Sequence, residues 1–221
     1  KGAFYNTLEE FHKYWERVDI IFPRVPSYQL PATSYQPFDN VFIHPSPWPL
    51  VFQPWWILKK GREIYQKHKF DLMTVHEYPP FYNGLGARML WNKIKVPYVL
   101  EIFHIPGYPK APDLKEWLYK LFSRLFLKFD SSKARAIRVM NQEMPEFLVK
   151  VGVAKEKIIH IPAIYIDLNI FKPMSLEKKY DLIFIGRLTK NKGVDLFLEA
   201  VKKLDCRALI VGDGPLREKI K

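Results

Sequence analysis

The stretch YDLIFIGRLTKNKGVDLFLEAVKKL, from Tyr180 to Leu204, limits what this chain can fold into more than any other. Its apolar run Leu182 to Ile185 suits a strand buried on both faces. Gly186 and Arg187 follow, then a polar loop from Thr189 to Lys192. Beyond Gly193, the residues Val194, Phe197, Leu198 and Val201 recur at helical spacing. Strand, cationic loop and helix in that order fit an open α/β sheet, which binds ligands at the carboxyl ends of its strands. The helix N-terminus offers free N–H groups and partial positive charge. Arg187 and Lys192 add two full charges beside it, and together these features predict an anion site, above all for phosphate.

A loop arginine and lysine taken alone read as solvated cations. The wider wording of the chain decides otherwise. LIVGDGPLREKI, Leu209 to Ile220, supplies a second strand, a glycine turn and a helix. The two phrases, in this order and at this separation, resemble the start of the C-terminal domain of retaining glycosyltransferases of family 4. That family reads apolar-Gly-Arg-Leu, a short gap, then Lys-Gly. The resemblance implies an α/β protein of GT-B type. Residues 1–173 would form a Rossmann-like, acceptor-side domain with a parallel sheet lacking its first strand. Residues 174–221 would open a second, nucleotide-sugar-binding Rossmann-like domain. The activity implied is a hexosyltransferase reaction, with retention, from a nucleotide-diphosphate donor to a lipid-linked or polysaccharide acceptor. The alternative is a GT-B-like binding protein that kept the fold and lost the chemistry.

The rest of the chain is consistent with two α/β domains. Leu8 to Tyr14 reads as a helix and Val18 to Pro23 as a strand, while residues 24–38, rich in proline and tyrosine, read as an irregular crossing. Strands are expected at Asp39 to Ser46, Phe70 to Pro80, Val96 to Gly107, Ala136 to Asn141 and Lys157 to Ala163. Helices are expected at Trp56 to His68, Phe81 to Lys93, Asp113 to Phe129 and Pro145 to Val151. Such alternation implies a parallel, doubly wound sheet. The linker IPAIYIDLNIF keeps Asp167 and Phe171 in register with the family's hinge but lacks its Asn-Gly.

Charge and cysteine usage narrow the partners. The net charge of +12 over 221 residues permits nucleic acid, an anionic membrane surface or phosphorylated small molecules. No zinc-ligand spacing and no aromatic-basic signature of an RNA-binding sheet occurs, so nucleic acid is not expected as a partner. The single cysteine, Cys206, fits a reducing compartment, and no apolar run approaches the ~18 residues that span a bilayer. The expectation is a cytoplasmic protein, with the inner membrane face as a place of peripheral contact.

Candidate site residues follow from strand ends and from the resemblance. Arg187, Lys192 and Gly186 are expected to bind the donor diphosphate, where fixed cations meet the charge that develops as the sugar leaves. Gly212 and Gly214 are expected to shape the donor-site turn. His104, at the end of the strand in VLEIFH, is the catalytic candidate, since a family histidine there contacts the donor sugar. His76 and Glu77 end the preceding strand and are expected to face the acceptor side together, near the aromatic run Trp48 to Trp56. No Asp-x-Asp occurs, so neither a metal nor a cofactor is expected.

The helix Asp113 to Phe129 carries an unbroken apolar stripe, Leu114, Trp117, Leu118, Leu121, Phe122, Leu125, Phe126 and Phe129, behind an Asp113/Glu116 cap. Lys115, Lys120, Arg124 and Lys128 lie off the stripe. Core packing is the first expectation for it, and membrane contact through residues such as Trp117 and Lys120 the second. The family's glycine-rich first loop should precede Lys1, and its glutamate pair should follow Lys221. The 221 residues alone are therefore expected to be inactive and to bind nucleotide sugar weakly.

Overall fold

The computed structural model describes residues 3–24, 34–108, 110–111, 113–162, 168–175 and 177–220. The chain divides into two compact units, residues 1–163 and 164–221.

The first unit opens with α1 (Ala3–Phe11), continued by a 3-10 turn at His12–Tyr14, and then β1 (Val18–Phe22), β2 (Tyr35–Phe38) and β3 (Val41–Pro45). These three strands form a sheet of their own, in the order β1-β3-β2, with β1 parallel and β2 antiparallel to β3. Leu8 of α1 packs on Val41 and Ile43 to make its small core. Alternation of strands and helices leads one to expect a single parallel sheet here. The short antiparallel β2 departs from that expectation, and it also corrects the reading of residues 35–38 as irregular. Residues 25–33 of that crossing lie outside the described residues.

After a 3-10 turn at Leu50–Phe52 comes α2 (Gln53–Lys67), which starts three residues ahead of the expected Trp56 because Pro54 sits comfortably in its first turn. Then β4 (Met73–Glu77), α3 (Tyr82–Ile94), β5 (Tyr98–Ile102), α4 (Leu114–Ser131), β6 (Ala136–Val139), α5 (Met144–Lys150) and β7 (Ile158–His160) alternate. The four strands form an all-parallel sheet in the order β4-β5-β6-β7, the Rossmann-like arrangement that the sequence implied. Successive strand residues point to opposite faces. One face carries Val75, Tyr98, Leu100, Ile102, Ile137 and Val139, which pack with Leu127, Phe147 and Leu148 from α4 and α5 as the main core. Each such buried aliphatic side chain contributes roughly 1.5–3 kcal/mol. The other face carries Thr74, His76, Glu101, Arg138 and Ile159, and it is the more open of the two.

Helix α4 is capped as its sequence predicts: the amide of Glu116 donates to Asp113 Oδ1 at 2.8 Å. The Glu116 carboxylate then accepts from the amide of Gly107 at 3.0 Å, which fixes the loop after β5. The apolar stripe corrects the first expectation. The buried side of α4 is formed by Ser123, Leu127, Asp130 and Ser131, whereas Leu114, Trp117, Leu118, Leu121, Phe122, Leu125 and Phe129 are all exposed. Periodicity identifies an apolar face without saying what it meets.

The second unit contains β8 (Leu182–Ile185), a 3-10 turn at Lys190–Lys192, α6 (Val194–Val201), β9 (Ala208–Val211) and α7 (Arg217–Ile220). Strands β8 and β9 are parallel, with Leu182 opposite Ala208 and Ile185 opposite Val211. Of the hinge, Asp167 lies outside the described residues and Phe171 is exposed.

Candidate functional site

In the second unit, the turn Gly212–Gly214 and the loop Gly186–Leu188 extend the β8–β9 pairing beyond the strand ends. The Gly186 amide donates to Val211 O at 3.0 Å and the Leu188 amide to Asp213 O at 2.9 Å. The Leu216 amide closes the set by donating to Leu188 O at 3.0 Å. This contact requires glycine at two positions. A Cβ on Gly212 would come within 1.9 Å of Gly186 O, and one on Gly214 within 2.6 Å of Leu188 O. Gly186 is different, because a Cβ there would meet nothing nearer than the Phe184 ring at 3.6 Å. Folding alone therefore does not demand glycine at 186.

The loop so fixed carries Arg187, and Lys192 ends the 3-10 turn that follows. Gly193, at φ 70°, reverses the chain into α6, a left-handed conformation that glycine adopts without strain. Both cations are exposed, and neither has an acidic partner among the described residues. The same unit holds a shallow hollow of about 270 Å³ lined by Leu188, Ile210, Gly212, Arg217 and Ile220. Arg217 is tied loosely to Asp213, at 3.4 Å. This is an open, electropositive strand-end surface suited to an anion.

In the first unit, the strand-end residues of the four-stranded sheet separate by face. His76 stands opposite Glu101 in the β4–β5 register, and Glu101 opposite Arg138 in the β5–β6 register. The His76 Nε2 and Glu101 Oε2 atoms are in ion-pair contact, and Arg138 Nη1 donates to Glu101 Oε1 at 2.8 Å. Burial alone would raise the Glu101 carboxyl, but the bonds and charges of His76 and Arg138 outweigh it and hold it below the usual carboxylate range. The His76 ring also packs edge-on against Phe103, with centroids 4.6 Å apart. His104 follows Phe103 in the loop beyond β5 and is exposed. Sequence reasoning missed Glu101 and Arg138. The only signal for them was a charged residue inside each of two apolar strands.

Glu77 does not share a rim with His76, which corrects the expectation for it. Neighbouring strand residues face opposite ways, so Glu77 is only 4 % exposed and points beneath α3. Its Oε1 accepts from the Tyr78 amide at 3.1 Å, and burial followed by the charge of Asp130 raises it well above the usual carboxyl range. Asp130, on α4, is fully buried, and burial pushes it up to about 7 against the pull of Arg88. Gly84 makes room for this pair, since a Cβ there would lie 1.7 Å from Glu77 Oε2 and 2.5 Å from Asp130 Oδ2. Glu77 is a packing residue in a buried acid pair.

Two further polar features occupy the first unit. Asp19 joins Arg17 Nε at 2.6 Å and His44 Nε2 at 2.8 Å, and His44 Nδ1 meets Ser34 Oγ at 3.1 Å. Of the aromatic run, Trp48 and Trp55 line an open groove of about 500 Å³ together with Lys59 and Arg62 among others. The Lys59 ammonium lies 5.4 Å from the Trp48 ring centre. Among the described residues, no cluster of three or more His, Cys, Asp or Glu side chains could hold a metal ion. No helix among them is long and apolar enough to cross a membrane.

Residues 166–221 match the family described as Glycosyl transferases group 1, a span that contains the whole cationic loop and the glycine turn. An uncharacterized glycosyltransferase of Methanocaldococcus jannaschii is 25 % identical over 190 residues, covering 83 % of this chain and 50 % of the relative. The chain thus spans about half the length of the curated relative it matches. Among solved structures, a UDP-N-acetylglucosamine 2-epimerase from Rickettsia bellii is similar at a TM-score of 0.41 and 15 % identity, over 76 % of this chain and 45 % of that one.

Proposed function

We propose that the chain is the acceptor-side lobe and the opening of the donor lobe of a cytoplasmic, retaining GT-B glycosyltransferase of family 4. The observation that carries this reading is the cationic loop. Arg187 and Lys192 are exposed without acidic partners, and the loop bearing Arg187 is fixed by backbone bonds to the Gly212–Gly214 turn. The matches to Glycosyl transferases group 1 and to the Methanocaldococcus glycosyltransferase support glycosyl transfer as the reaction class.

In this reading the donor is a nucleoside diphosphate sugar. As the bond between the anomeric carbon and the β-phosphate oxygen breaks, negative charge collects on the phosphate. Arg187 and Lys192 meet that charge in place of a metal ion. Gly186, which the packing leaves free to be larger, is small so that the diphosphate can approach the backbone. His104 orients the sugar. The acceptor hydroxyl, on a lipid-linked or polysaccharide acceptor, binds on the first unit near His76 and the Trp48–Trp55 groove.

The test is turnover of the full-length protein with a panel of nucleotide sugars, followed by NMR of the anomeric proton in the product. Product carrying the donor's own anomeric configuration supports the proposal. An inverted linkage removes the retaining assignment. Binding of nucleoside diphosphate without turnover replaces the enzyme with a binding protein of the same fold.

A further inference from the structure

Helix α4 packs the wrong way round for a core helix. Over its length of about 27 Å, its inner side is Ser123, Leu127, Asp130 and Ser131, helped by Phe126 stacked on Phe81. Its outer side is Leu114, Trp117, Leu118, Leu121, Phe122, Leu125 and Phe129. Leu114 and Leu125 are 72 % and 68 % exposed. Spacings of three and four residues set these side chains in one continuous ridge, and a contiguous apolar surface of that kind marks an interaction site.

The charges beside the ridge say what it meets. Lys115, Arg124 and Lys128 are exposed on the same helix, and none forms an ion pair among the described residues. The acidic side chains of α4 face away from it, since Asp130 is buried and Glu116 is turned onto the Gly107 amide. A second copy of this chain would bring like-charged rims together, in a protein whose net charge is already +12. An anionic bilayer answers both features at once: acyl chains take the apolar ridge, and lipid phosphates take the cations. We infer that α4 lies in the plane of an anionic membrane, with Trp117 and the leucine ridge inserted at the level of the headgroups. This inference does not depend on the sugar-transfer reading, because it uses none of the residues assigned to it.

Vesicle co-sedimentation tests it. The protein is expected to bind vesicles of phosphatidylcholine with phosphatidylglycerol, and to bind pure phosphatidylcholine vesicles much less. Leu121→Glu with Leu125→Glu should weaken binding by about tenfold or more per side chain. Reversing Lys115, Arg124 and Lys128 to glutamate should weaken it by at least about fivefold per position, and added salt should mimic that loss. Thermal melting should match wild type in both sets, because every altered side chain is exposed. Binding unaffected by the leucine changes would overturn the inference. So would a wild-type protein that ignores anionic vesicles, whether α4 is then covered by a second copy, shown by sedimentation equilibrium, or by another segment of a longer chain.

Discussion

His76 on β4 and Glu101 on β5 face each other across adjacent parallel strands, and the imidazole meets a carboxylate that Arg138 holds from the next strand. Three consecutive strands therefore each contribute one polar side chain to a single row at the open face of the sheet.

That row makes Glu101 a source of stability at neutral pH. Its carboxyl is held below the ordinary value, so its contribution is present above the unfolded pKa near 4.5 and is lost as pH falls through the folded value. Glu101→Gln is expected to cost about 1–3 kcal/mol at neutral pH, since Arg138 loses its carboxylate partner. Urea midpoints measured against pH should converge for variant and wild type in acid. A constant difference down to the lowest pH would refute this account.

Asp130 should behave in the opposite sense. Its folded pKa is raised from 3.8 to about 7, so the native state binds the extra proton between those values and stability declines as pH rises through that window. Asp130→Asn should melt at a higher temperature than wild type above pH ~7. It should also show a shallower decline, with the remainder coming from Glu77, which loses a charged neighbour in the variant. A wild-type stability that climbs through the same window would exclude a buried acid pair of this kind.

Gly186 and Gly212 separate the demands of folding from those of binding. Gly212→Ala drives a Cβ into Gly186 O, so it should lower stability and displace the loop that carries Arg187. Gly186→Ala has room in the unliganded fold and should melt like wild type while weakening nucleoside diphosphate binding, measured by calorimetry. Unchanged affinity in Gly186→Ala would mean that no phosphate approaches that backbone.

Arg187→Ala and Lys192→Ala, made in the full-length protein, should each reduce kcat by about 10²–10³, the usual cost of removing one fixed donor to developing negative charge. Arg187→Lys should recover part of the loss, because charge is kept while the planar two-donor geometry is not. Both positions are exposed, so melting temperatures should not move. Full activity in both alanine variants would detach the loop from the chemistry.

The sequence made the β4–β7 sheet legible because buried parallel strands read as short apolar runs between helical periods. The cationic loop was legible for a similar reason, as its glycines and charges sit at fixed offsets from β8. Cross-strand pairing was not. Glu101 and Arg138 lie 37 residues apart and meet only when the sheet register is set. Tyr35–Phe38 escaped notice as a strand because Pro37 and the tyrosine-rich flank read as turn. Glu77 was misassigned by treating a strand end as one direction, although adjacent residues alternate. The α4 stripe was visible, but a 3.6-residue period is identical whether the apolar face meets a protein core or something else.

The bonds from Gly186 and Leu188 to Val211 and Asp213 mean that Arg187 is positioned by chain more than twenty residues downstream as well as by its neighbour Thr189, whose amide donates to Arg187 O at 2.9 Å. The intervening α6 has an inner and an outer side: Val194 is fully buried and Phe197 meets the Phe184 ring of β8, whereas Leu196 is 68 % exposed. Only its outer side is a spacer in the mechanical sense. Its outward-facing composition can drift while the backbone anchors on either side keep the loop that carries Arg187 where it is.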